Sequence, residues 1–327
     1  MLVARVRRSI EERELIAPRM RVLCACSGGP DSAALLYCLA QLQSDLGFEL
    51  VSASVDHGLR PDAHKDVAVA AEQAVLVGVP FHGLKIAVEP GASVQARARE
   101  GRYLALGQLA ASLGAERIAV GHTQDDQAET VLSRVLRGAG LPGLGSIQPR
   151  REDGVVRPLI DCRRPDAHRL ATERFPRLAH DLSNHDLKFE RVRIRSHVLP
   201  TLVAEDAALV RHLAQLADDA RDCALALDGV ADSLLRQVVS GRREECALSV
   251  SSVREQPRAI RIAVLRRFIV WALGQSPGRA ELTQLDRTLC SDRGEVWLAD
   301  GASLRASGDG YLRVCTRERQ RHEPGRG

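Results

Sequence analysis

A run of small and polar residues, Ser27-Gly28-Gly29-Pro30-Asp31-Ser32, stands between an apolar segment and an amphipathic one. The two glycines allow a ligand to approach the backbone closely, and the serines and the free amides of a helix start can donate hydrogen bonds to phosphate oxygens. A carboxylate would repel phosphates unless a metal ion lies between them, so Asp31 indicates Mg²⁺ coordination. The run predicts a phosphate-binding loop, and the alternative is an ordinary turn, in which these residue types are common. It is not a Walker A loop, because no lysine follows the glycines.

A second polar cluster begins at His122 and continues through Asp125, Asp126 and Glu129. Its histidine could carry a proton or form a hydrogen bond with a substrate base, and its carboxylates could hold a metal ion or a substrate ammonium group. The alternative is a solvated helix whose acidic first turn suits the helix dipole. That alternative explains the carboxylates but not a histidine directly before them, at the end of a predicted strand. We therefore favour a functional site here.

Two groups of arginines are weaker candidates. Arg99 and Arg102 lie three residues apart on a predicted helix, where either could stabilise negative charge on a polyphosphate or an adenylate. The alternative for each of them is an exposed, arginine-rich surface. The arginines of segment 189–195 recur at every second residue. They would spread around a helix but share one face of an extended chain, where they could follow a nucleic-acid backbone.

The elements that position these residues alternate between strands and helices. Such alternation is typical of an α/β fold with a doubly wound parallel sheet, in which ligands bind at the carboxyl ends of the strands. Three polar clusters follow three predicted strands, at residues 27–32, 56–58 and 121–126, so we expect them to meet at one edge of the sheet. The predicted strands are 22–26, 50–55, 81–88 and 117–121, and the predicted helices include 62–77, 93–111 and 123–137.

The pattern becomes less regular in the second half of the chain. It predicts helices over 201–235 and 257–273, followed by a short β region near 296–314. We expect one domain over residues 1–200, which contains the candidate site residues, and a smaller, mainly helical domain over 201–316. Residues 317–327 are charged and contain glycine and proline, which predicts a disordered tail.

The composition limits the class of protein. With 327 residues, 45% of them hydrophobic, the chain can form two domains with substantial cores. A net charge of +4 permits a nucleic-acid partner without demonstrating one. The eight cysteines form no C-x-x-C pair and no cluster at zinc spacing, which fits a reducing cytosol. Because no apolar run approaches the length of a membrane span, we expect a soluble cytoplasmic protein with no membrane partner.

The loop at residues 27–32 resembles the SGGxDS loop of the N-type ATP pyrophosphatases, or PP-loop enzymes, which adenylylate a substrate oxygen and release pyrophosphate. Within that superfamily, four further stretches in collinear order are similar to the tRNA(Ile)-lysidine synthetase family. The resemblance spans about residues 20–200, and the arginine-rich part beyond it resembles the tRNA-binding appendage of that family. The four stretches are 55–60 (VDHGLR), 98–103 with Arg99, Arg102 and Tyr103, 121–140 (from GHTQDDQAET to RGAG), and 157–159 (RPL) with 181–184 and 191–195.

The resemblance implies an adenine nucleotide alpha hydrolase-like fold and a two-step reaction. ATP would first activate the wobble cytidine of an isoleucine tRNA with a CAU anticodon, and pyrophosphate would leave. The side-chain amine of free L-lysine would then displace AMP and form lysidine. The product tRNA would be specific for isoleucine instead of methionine.

The resemblance also implies roles for individual residues. Arg102 would face the developing negative charge, His122 would contact ATP or the activated base, and Asp126 with Glu129 would hold the lysine ammonium group or a metal ion. A carboxylate near the attacking amine is useful, because that amine must lose a proton to react. The implied catalytic residues are Asp31, Arg102, His122, Asp126 and Glu129, the implied ATP site is Ser27, Gly28, Gly29, Pro30, Asp31, Ser32, Asp56 and His57, and the implied Mg²⁺ ligand is Asp31.

Two alternatives stay open from the sequence. The first is another PP-loop enzyme that modifies tRNA, such as a cytidine thiolase, although such enzymes need paired cysteines for a cluster or a persulfide. The second is a non-catalytic nucleotide-binding module. The chain resembles the short form of the family, we place no site in residues 161–180, which are rich in arginine and proline, and we leave a homodimer open.

Overall fold

A computed structural model describes residues 1–58, 62–87, 91, 94–145, 147–179, 187–241, 246–299 and 301–315 of the chain. Contacts divide the chain into two compact units. The first comprises Met1–Ala139 and Gly143–Asp218, and the second comprises Gly140–Pro142 and Asp219–Gly327. The main division therefore falls at Asp218, whereas the sequence predicts a boundary at residue 200. The predicted disordered tail lies outside the described residues.

A parallel sheet of five strands forms the centre of the first unit. Val22 and Cys24 point into the core on one face of the central strand, and Leu23 points into the core on the other. Burial on both faces explains why this strand is a continuous apolar run in the sequence. The strands are β1 (Arg21–Ala25), β2 (Glu49–Asp56), β3 (Phe81–Lys85), β4 (Arg117–Ala119) and β5 (Val155–Val156), in the order β3-β2-β1-β4-β5.

Helices cover both faces of this sheet. The helices are α1 (Leu2–Glu12), α2 (Pro30–Leu46), α3 (Ala63–Leu76), α4 (Val94–Leu113), α5 (Gln124–Leu136), α6 (Leu141–Leu144), α7 (Arg164–Arg174), α8 (Glu190–Arg193) and α9 (Leu199–Glu205), with a π-helical turn at Ile194–Val198. Side chains of α1, α2, α3 and α7 share the core on one face, and those of α4 pack on the other. The predicted doubly wound parallel sheet is confirmed. Its order reverses between β1 and β4, so a ligand crevice is expected at their carboxyl ends.

The predicted elements of this unit are confirmed to within a few residues at their ends, but strand β5 and helices α1, α6 and α7 were not predicted. Helix α7 buries only the small side chains of Ala167 and Ala171, so its apolar periodicity is weak. Segment 189–195 forms α8 and the start of the π-helical turn, which decides in favour of the helical alternative. Within it, Arg191 and Arg195 are four residues apart and therefore lie on one side.

The second unit combines helices with an antiparallel sheet. Its strands are β6 (Val239–Ser240), β7 (Ala247–Ser249), β8 (Arg293–Trp297), β9 (Ser303–Ser307) and β10 (Tyr311–Cys315), in the order β6-β7-β10-β9-β8. Its helices are the later part of α10 (Leu209–Val238), α11 (Val250–Arg254), α12 (Arg258–Leu273) and α13 (Arg279–Ser291). Phe268 of α12 and Leu285 of α13 are fully buried in a core shared with the sheet. The sheet is thus larger than the predicted β region, and α13 was not predicted.

The prediction of one helix over 201–235 is wrong. Helix α9 ends at Glu205, and α10 begins at Leu209. Asp206 between them is extended, with φ −141° and ψ 106°, and its Oδ1 accepts a hydrogen bond from Ala208 N at 2.8 Å. An aspartate side chain that binds the backbone in this way competes with the helical hydrogen bonds and ends the helix.

Within the part of the chain that the structure describes, no helix combines the length and the apolarity needed to cross a bilayer.

Candidate active site

Gly28 fixes the shape of the loop between β1 and α2. Its φ is +77°, a conformation that side chains other than glycine rarely adopt. A Cβ at this position would lie 2.9 Å from the carbonyl oxygen of Asp66, so space excludes a side chain as well. The carbonyl oxygen of Gly28 accepts hydrogen bonds from Gln73 Nε2 and from Ala179 N, both at 2.9 Å. The backbone of the loop is therefore held by α3 and by the segment after α7.

Ser27 and Ser32 hold the loop together through hydrogen bonds within it. Ser32 Oγ accepts a hydrogen bond from Ser27 N at 3.1 Å and donates one to Gly29 O at 2.9 Å. Helix α2 starts here with Pro30 in its first turn, where the missing proline amide costs nothing. The remaining amides of the first turn have no partner within the helix, which makes this end suitable for anionic groups such as phosphates.

Gly121 brings the end of β4 against the start of α2. A Cβ on Gly121 would lie 3.1 Å from the carbonyl carbon and oxygen of Asp31 and 3.2 Å from Ser32 N. These are backbone atoms, which cannot rotate away as a flexible side chain can. A side chain at residue 121 would therefore force the start of α2 to shift by a few tenths of an ångström. Glycine lets the end of β4 and the start of α2 pack closely, which places the loop beside the His122 cluster.

Asp31 lies in the first turn of α2, at the centre of the site. His168 Nε2 is 3.2 Å from Asp31 Oδ1, and Arg164 Nε is 3.8 Å from Asp31 Oδ2. The His168 contact lacks hydrogen-bond geometry, so Oδ1, which is shielded from solvent, accepts no hydrogen bond from the described residues. Such an oxygen suits a divalent cation that takes its other ligands from phosphates and water. In the described part of the chain, no group of three or more His, Cys, Asp or Glu side chains could hold a metal by itself.

Helix α5 begins with a capping arrangement that orients Asp126. Asp126 Oδ2 accepts hydrogen bonds from Thr123 N at 2.7 Å and from Thr123 Oγ1 at 2.8 Å. A capping residue of this kind satisfies amides that the helix leaves unpaired. Asp125 points elsewhere, because it accepts hydrogen bonds from Arg163 Nε and from the backbone amide of Arg164, at 3.1 and 2.7 Å.

Three arginines from two different segments surround the carboxylates of Asp126 and Glu129. Arg164 of α7 donates to Glu129 Oε1 at 2.7 Å and to Asp126 Oδ1 at 2.8 Å. Arg191 reaches the same two carboxylates at 3.1 and 2.6 Å, and Arg195 reaches them at 2.8 and 3.3 Å. The Glu129 side chain is completely buried, so these contacts lie away from solvent. Since Arg164 also lies near Asp31, it links the loop to α5.

The arginines keep both carboxylates ionised. Burial by itself would raise the pKa of Asp126, but the positive charges of Arg164 and Arg191 outweigh it and hold that pKa well below its ordinary value. Burial also raises the pKa of Glu129, but the hydrogen bond from Arg195 and the charge of Arg164 lower it by more, so this pKa too lies below its ordinary value. The pKa of Arg164 is raised, because Asp126 and Glu129 overcome the effect of burial. The cluster thus stays charged over the physiological pH range.

His122 is a neutral imidazole in this site. Its Nδ1 accepts a hydrogen bond from Arg157 Nε at 3.1 Å. Burial lowers the pKa of His122 to about 3, and the charge of Arg157 contributes in the same direction, although Asp126 opposes them. Arg157 directly follows β5 and is itself buried.

Arg102 lies in a group of three arginines around the ring of Tyr103 of α4. The guanidinium groups of Arg99, Arg102 and Arg151 are 5.4, 5.6 and 5.2 Å from the centre of the Tyr103 ring, within the range of cation–π contacts. Burial lowers the pKa of Arg102, and the charge of Arg99 adds to the effect. No carboxylate in the described part of the chain lies within ion-pair distance of Arg99 or Arg102. This group is therefore suited to a negatively charged ligand.

Asp56 and His57 belong to the third polar cluster that was predicted at this edge of the sheet. Asp56 closes β2 and its Oδ1 accepts a hydrogen bond from Gly58 N at 2.8 Å, which forms a turn. Asp56 is thus the last residue of β2 and His57 follows it, so both lie at the carboxyl end of a strand that neighbours β1, as predicted. Leu59 and Arg60 of the same motif, and residues 181–184, lie outside the described residues.

The sequence analysis missed Arg163, Arg164 and His168, which all come from the segment in which no site was placed. The three arginines that hold Asp126 and Glu129 are 35 or more residues away in sequence. The only available signal was Arg164 and His168 four residues apart, which puts both on one side of a helix. In a chain with 46 lysines and arginines, such a signal is weak.

The doubly wound sheet and the glycine-containing loop between β1 and α2 are consistent with a PP-loop protein, and the family comparison assigns the chain to that class. Residues 3–202 match the family model described as PP-loop domain. A search of solved structures finds similarity to the U34-tRNA thiolase NcsA from Methanococcus maripaludis with its [4Fe-4S] cluster. The TM-score is 0.53 and the identity 17%, over 66% of this chain and 78% of the thiolase, which is evidence for the fold alone.

Sequence comparison assigns a narrower family. The chain is 38% identical to a tRNA(Ile)-lysidine synthase of Symbiobacterium thermophilum, over 94% of this chain and 67% of that protein. It is 37% identical to one from Methylobacterium nodulans, over 89% of this chain and 86% of that protein. A third, from Solibacter usitatus, is 36% identical over 81% of this chain, which spans 59% of that relative. The chain belongs to the tRNA(Ile)-lysidine synthase family.

Proposed function

We propose that this chain uses ATP to ligate free L-lysine to the wobble cytidine of an isoleucine tRNA with a CAU anticodon. In the first step, the ring carbonyl oxygen of the cytidine attacks the α-phosphorus of ATP and pyrophosphate leaves. In the second step, the lysine side-chain amine attacks the activated carbon, loses a proton, and AMP leaves. The observation that carries the proposal is the bridge through Arg164 between Asp31 of the phosphate-binding loop and the buried carboxylates of α5.

ATP phosphates would bind the loop of residues 27–32 and the amides at the start of α2. The first turn of α2 offers donors, and the positive φ of Gly28 keeps the backbone close to the ligand. Asp31 would hold Mg²⁺ through its buried Oδ1, which has no hydrogen-bond partner among the described residues. When bound, the ion would neutralise charge on the phosphates. Asp56 and His57 would contribute to the nucleotide site from the neighbouring strand end.

Arg102 would stabilise the negative charge that grows on the reacting phosphate. Its guanidinium is largely buried and faces a tyrosine ring and other arginines instead of a carboxylate. A fixed positive charge away from water interacts more strongly with a developing anion than one in solvent does.

Lysine would bind at Asp126 and Glu129. In the structure each of these carboxylates is contacted by three guanidinium groups, so an ammonium group must replace one of them. Arg191 is the best candidate to leave, because its side chain is 45% exposed whereas that of Arg164 is 13% exposed. A carboxylate freed in this way could accept the proton that the amine loses.

The direct test is to incubate the full chain with ATP, labelled lysine and a transcript of the CAU-anticodon isoleucine tRNA. We expect label in the RNA together with one AMP and one pyrophosphate for each lysine incorporated. ATP consumption without labelled RNA would contradict the proposal. A transcript with a changed wobble base is the matched control and should remain unlabelled.

A variant pair tests the metal-binding role. Asp31→Ala should abolish pyrophosphate release while the protein stays folded, because the substitution removes the proposed Mg²⁺ ligand. Asp45→Ala near the end of the same helix is the control, since Asp45 is exposed and its charge is paired with Arg7. Undiminished turnover in Asp31→Ala would contradict the metal role.

A further inference from the structure

Arg157 is a buried arginine whose partners are not carboxylates. It is 3% exposed, directly follows β5, and its Nη1 donates to the carbonyl oxygen of Gln148. Its backbone is fixed as well, because Arg157 N donates to Pro149 O at 2.9 Å and Arg157 O accepts from Ile160 N at 3.1 Å. The guanidinium is thus held in one position relative to the end of β4.

The contact of Arg157 with His122 determines which imidazole nitrogen carries the proton. Arg157 Nε is 3.1 Å from His122 Nδ1, and a guanidinium can only donate hydrogen bonds. Nδ1 must therefore present a lone pair. If the ring were turned over, a C–H group would face the guanidinium N–H, and the hydrogen bond would be lost. In a neutral imidazole with an unprotonated Nδ1, the proton is on Nε2.

The Nε2–H group is available for a ligand. Among the described residues, His122 Nε2 has no hydrogen-bond partner, while the His122 backbone amide donates to Val120 O at 3.0 Å. The ring is thus fixed at Nδ1 and free to donate at Nε2.

We propose that Arg157 is a positioning residue that locks His122 in the Nε2-protonated form, so that His122 donates a hydrogen bond to the substrate and does not accept a proton. The part about substrate rests on the proposed function. In that reaction, an acceptor for His122 would be an oxygen of the α-phosphate or of the cytidine ring carbonyl. The proton lost by the lysine amine then goes to a carboxylate of α5, since Nδ1 of His122 is occupied.

The absence of an acidic partner supports this role. Two other arginines with little exposed side chain are paired with carboxylates, Arg164 with Glu129 at 2.7 Å and Arg261 with Asp286 at 2.6 Å. In the described part of the chain, no carboxylate lies within 4 Å of the Arg157 guanidinium. A carboxylate at this point would accept from Nδ1–H and stabilise the opposite tautomer. The Arg157 guanidinium stays protonated and can only donate, so it excludes the tautomer that carries the proton on Nδ1.

The test reads the tautomer directly, by nitrogen NMR of protein with ¹⁵N-labelled histidine at neutral pH and without ligands. His122→Gln identifies the His122 signals. We expect an unprotonated Nδ1 and a protonated Nε2 in the wild type. In Arg157→Met the Nδ1 signal should move toward the protonated position, and kcat should fall by ~10- to 100-fold with the KM for ATP changed less than ~2-fold. Arg157→Lys, which keeps a donor, should restore the wild-type signals and part of kcat.

The outcomes separate the two proposals. A protonated Nδ1 in the wild type would overturn the inference, and so would Arg157→Met with wild-type signals and wild-type kcat. If Arg157→Met fails to fold, the wild-type and Arg157→Lys spectra still decide the question. The control Arg150→Met removes an exposed arginine of the same segment and should change neither the spectra nor kcat. A wild type with the expected spectrum that incorporates no lysine would refute the proposed function and leave the tautomer assignment intact.

Discussion

The contact between Gly121 and the start of α2 predicts that Gly121→Ala impairs the use of ATP. The added Cβ would lie 3.1 Å from two backbone atoms of Asp31 and 3.2 Å from the amide nitrogen of Ser32. Ordinary contacts of a Cβ are 3.4–4 Å, so the first turn of α2 must move by a few tenths of an ångström. Those backbone atoms belong to the phosphate-binding loop. The substitution therefore perturbs the loop without changing any functional side chain.

The magnitude follows from packing and from geometry. Adding a methyl group to a closely packed site typically costs ~1–3 kcal/mol in the free energy of unfolding. Misplacement of a catalytic constellation by 1 Å can cost about 10²-fold in rate, so a shift of a few tenths of an ångström should cost about 3- to 10-fold. We expect the loss mainly in the KM for ATP and in the rate of pyrophosphate release, because in the proposed function the displaced amides would bind phosphate.

Gly107→Ala is the matched control. Gly107 lies inside α4, and a Cβ there would meet no atom within 4 Å. The same methyl group should stabilise the protein by ~0.5–1 kcal/mol through its helix propensity and leave ATP kinetics unchanged. Urea unfolding and a pyrophosphate-release assay measure both variants. Equal behaviour of the two variants, or a Gly121→Ala enzyme with wild-type KM for ATP, would refute the close-packing explanation.

Three further predictions concern the surroundings of the loop. Glu129→Gln removes a fully buried charge that three arginines contact, so the free energy of unfolding should fall by up to ~3–5 kcal/mol. The exposed Glu72→Gln should cost less than ~1 kcal/mol, and equal losses in urea unfolding would contradict the role of burial. Burial, with Arg157, lowers the pKa of His122 to about 3 in the folded protein. Below about pH 6.5 the unfolded chain therefore binds a proton at this histidine that the folded protein does not bind. As the pH is lowered from about 6.5 to about 3, the free energy of unfolding should thus decrease by up to ~1.4 kcal/mol per pH unit. A His122→Gln variant in which this slope is undiminished would argue against the lowered pKa. Gln73→Leu removes a donor to Gly28 O and should raise the KM for ATP about 2- to 12-fold, with the KM for lysine as the internal control that should not change.

Much of the fold and part of the site could be predicted from the sequence because their signals are local. The strand before Ser27 is a continuous apolar run, and the glycines after it are required by one backbone conformation and one close contact. The start of α5 is equally local, since Thr123 and Asp126 cap the helix within one turn. Such features depend on neighbours in sequence, so they can be read from a single chain.

The arginines of the site could not be predicted, because their function depends on partners that are distant in sequence. Arg164 reaches Asp126 and Glu129 only after α7 has packed against α2 in the core of the first unit. Nothing in the pattern of residues 161–180 separates Arg164 from an exposed arginine. The break between α9 and α10 was missed for a related reason: Asp206 is compatible with a helix until its side chain binds the backbone.

The charges of the described site divide the proposed roles among its residues. Asp31, Asp126 and Glu129 balance the three arginines that contact the α5 carboxylates, so this part of the site is close to neutral. Arg102, which is partly buried, and Arg157, which is buried, then remain as charges with no carboxylate of the described residues within 4 Å, and His122 is neutral. An uncompensated buried charge is costly unless a ligand neutralises it. An anionic nucleotide would thus gain most from this site, and in the proposed function a cationic lysine would reach the carboxylates only in exchange for one of the arginines.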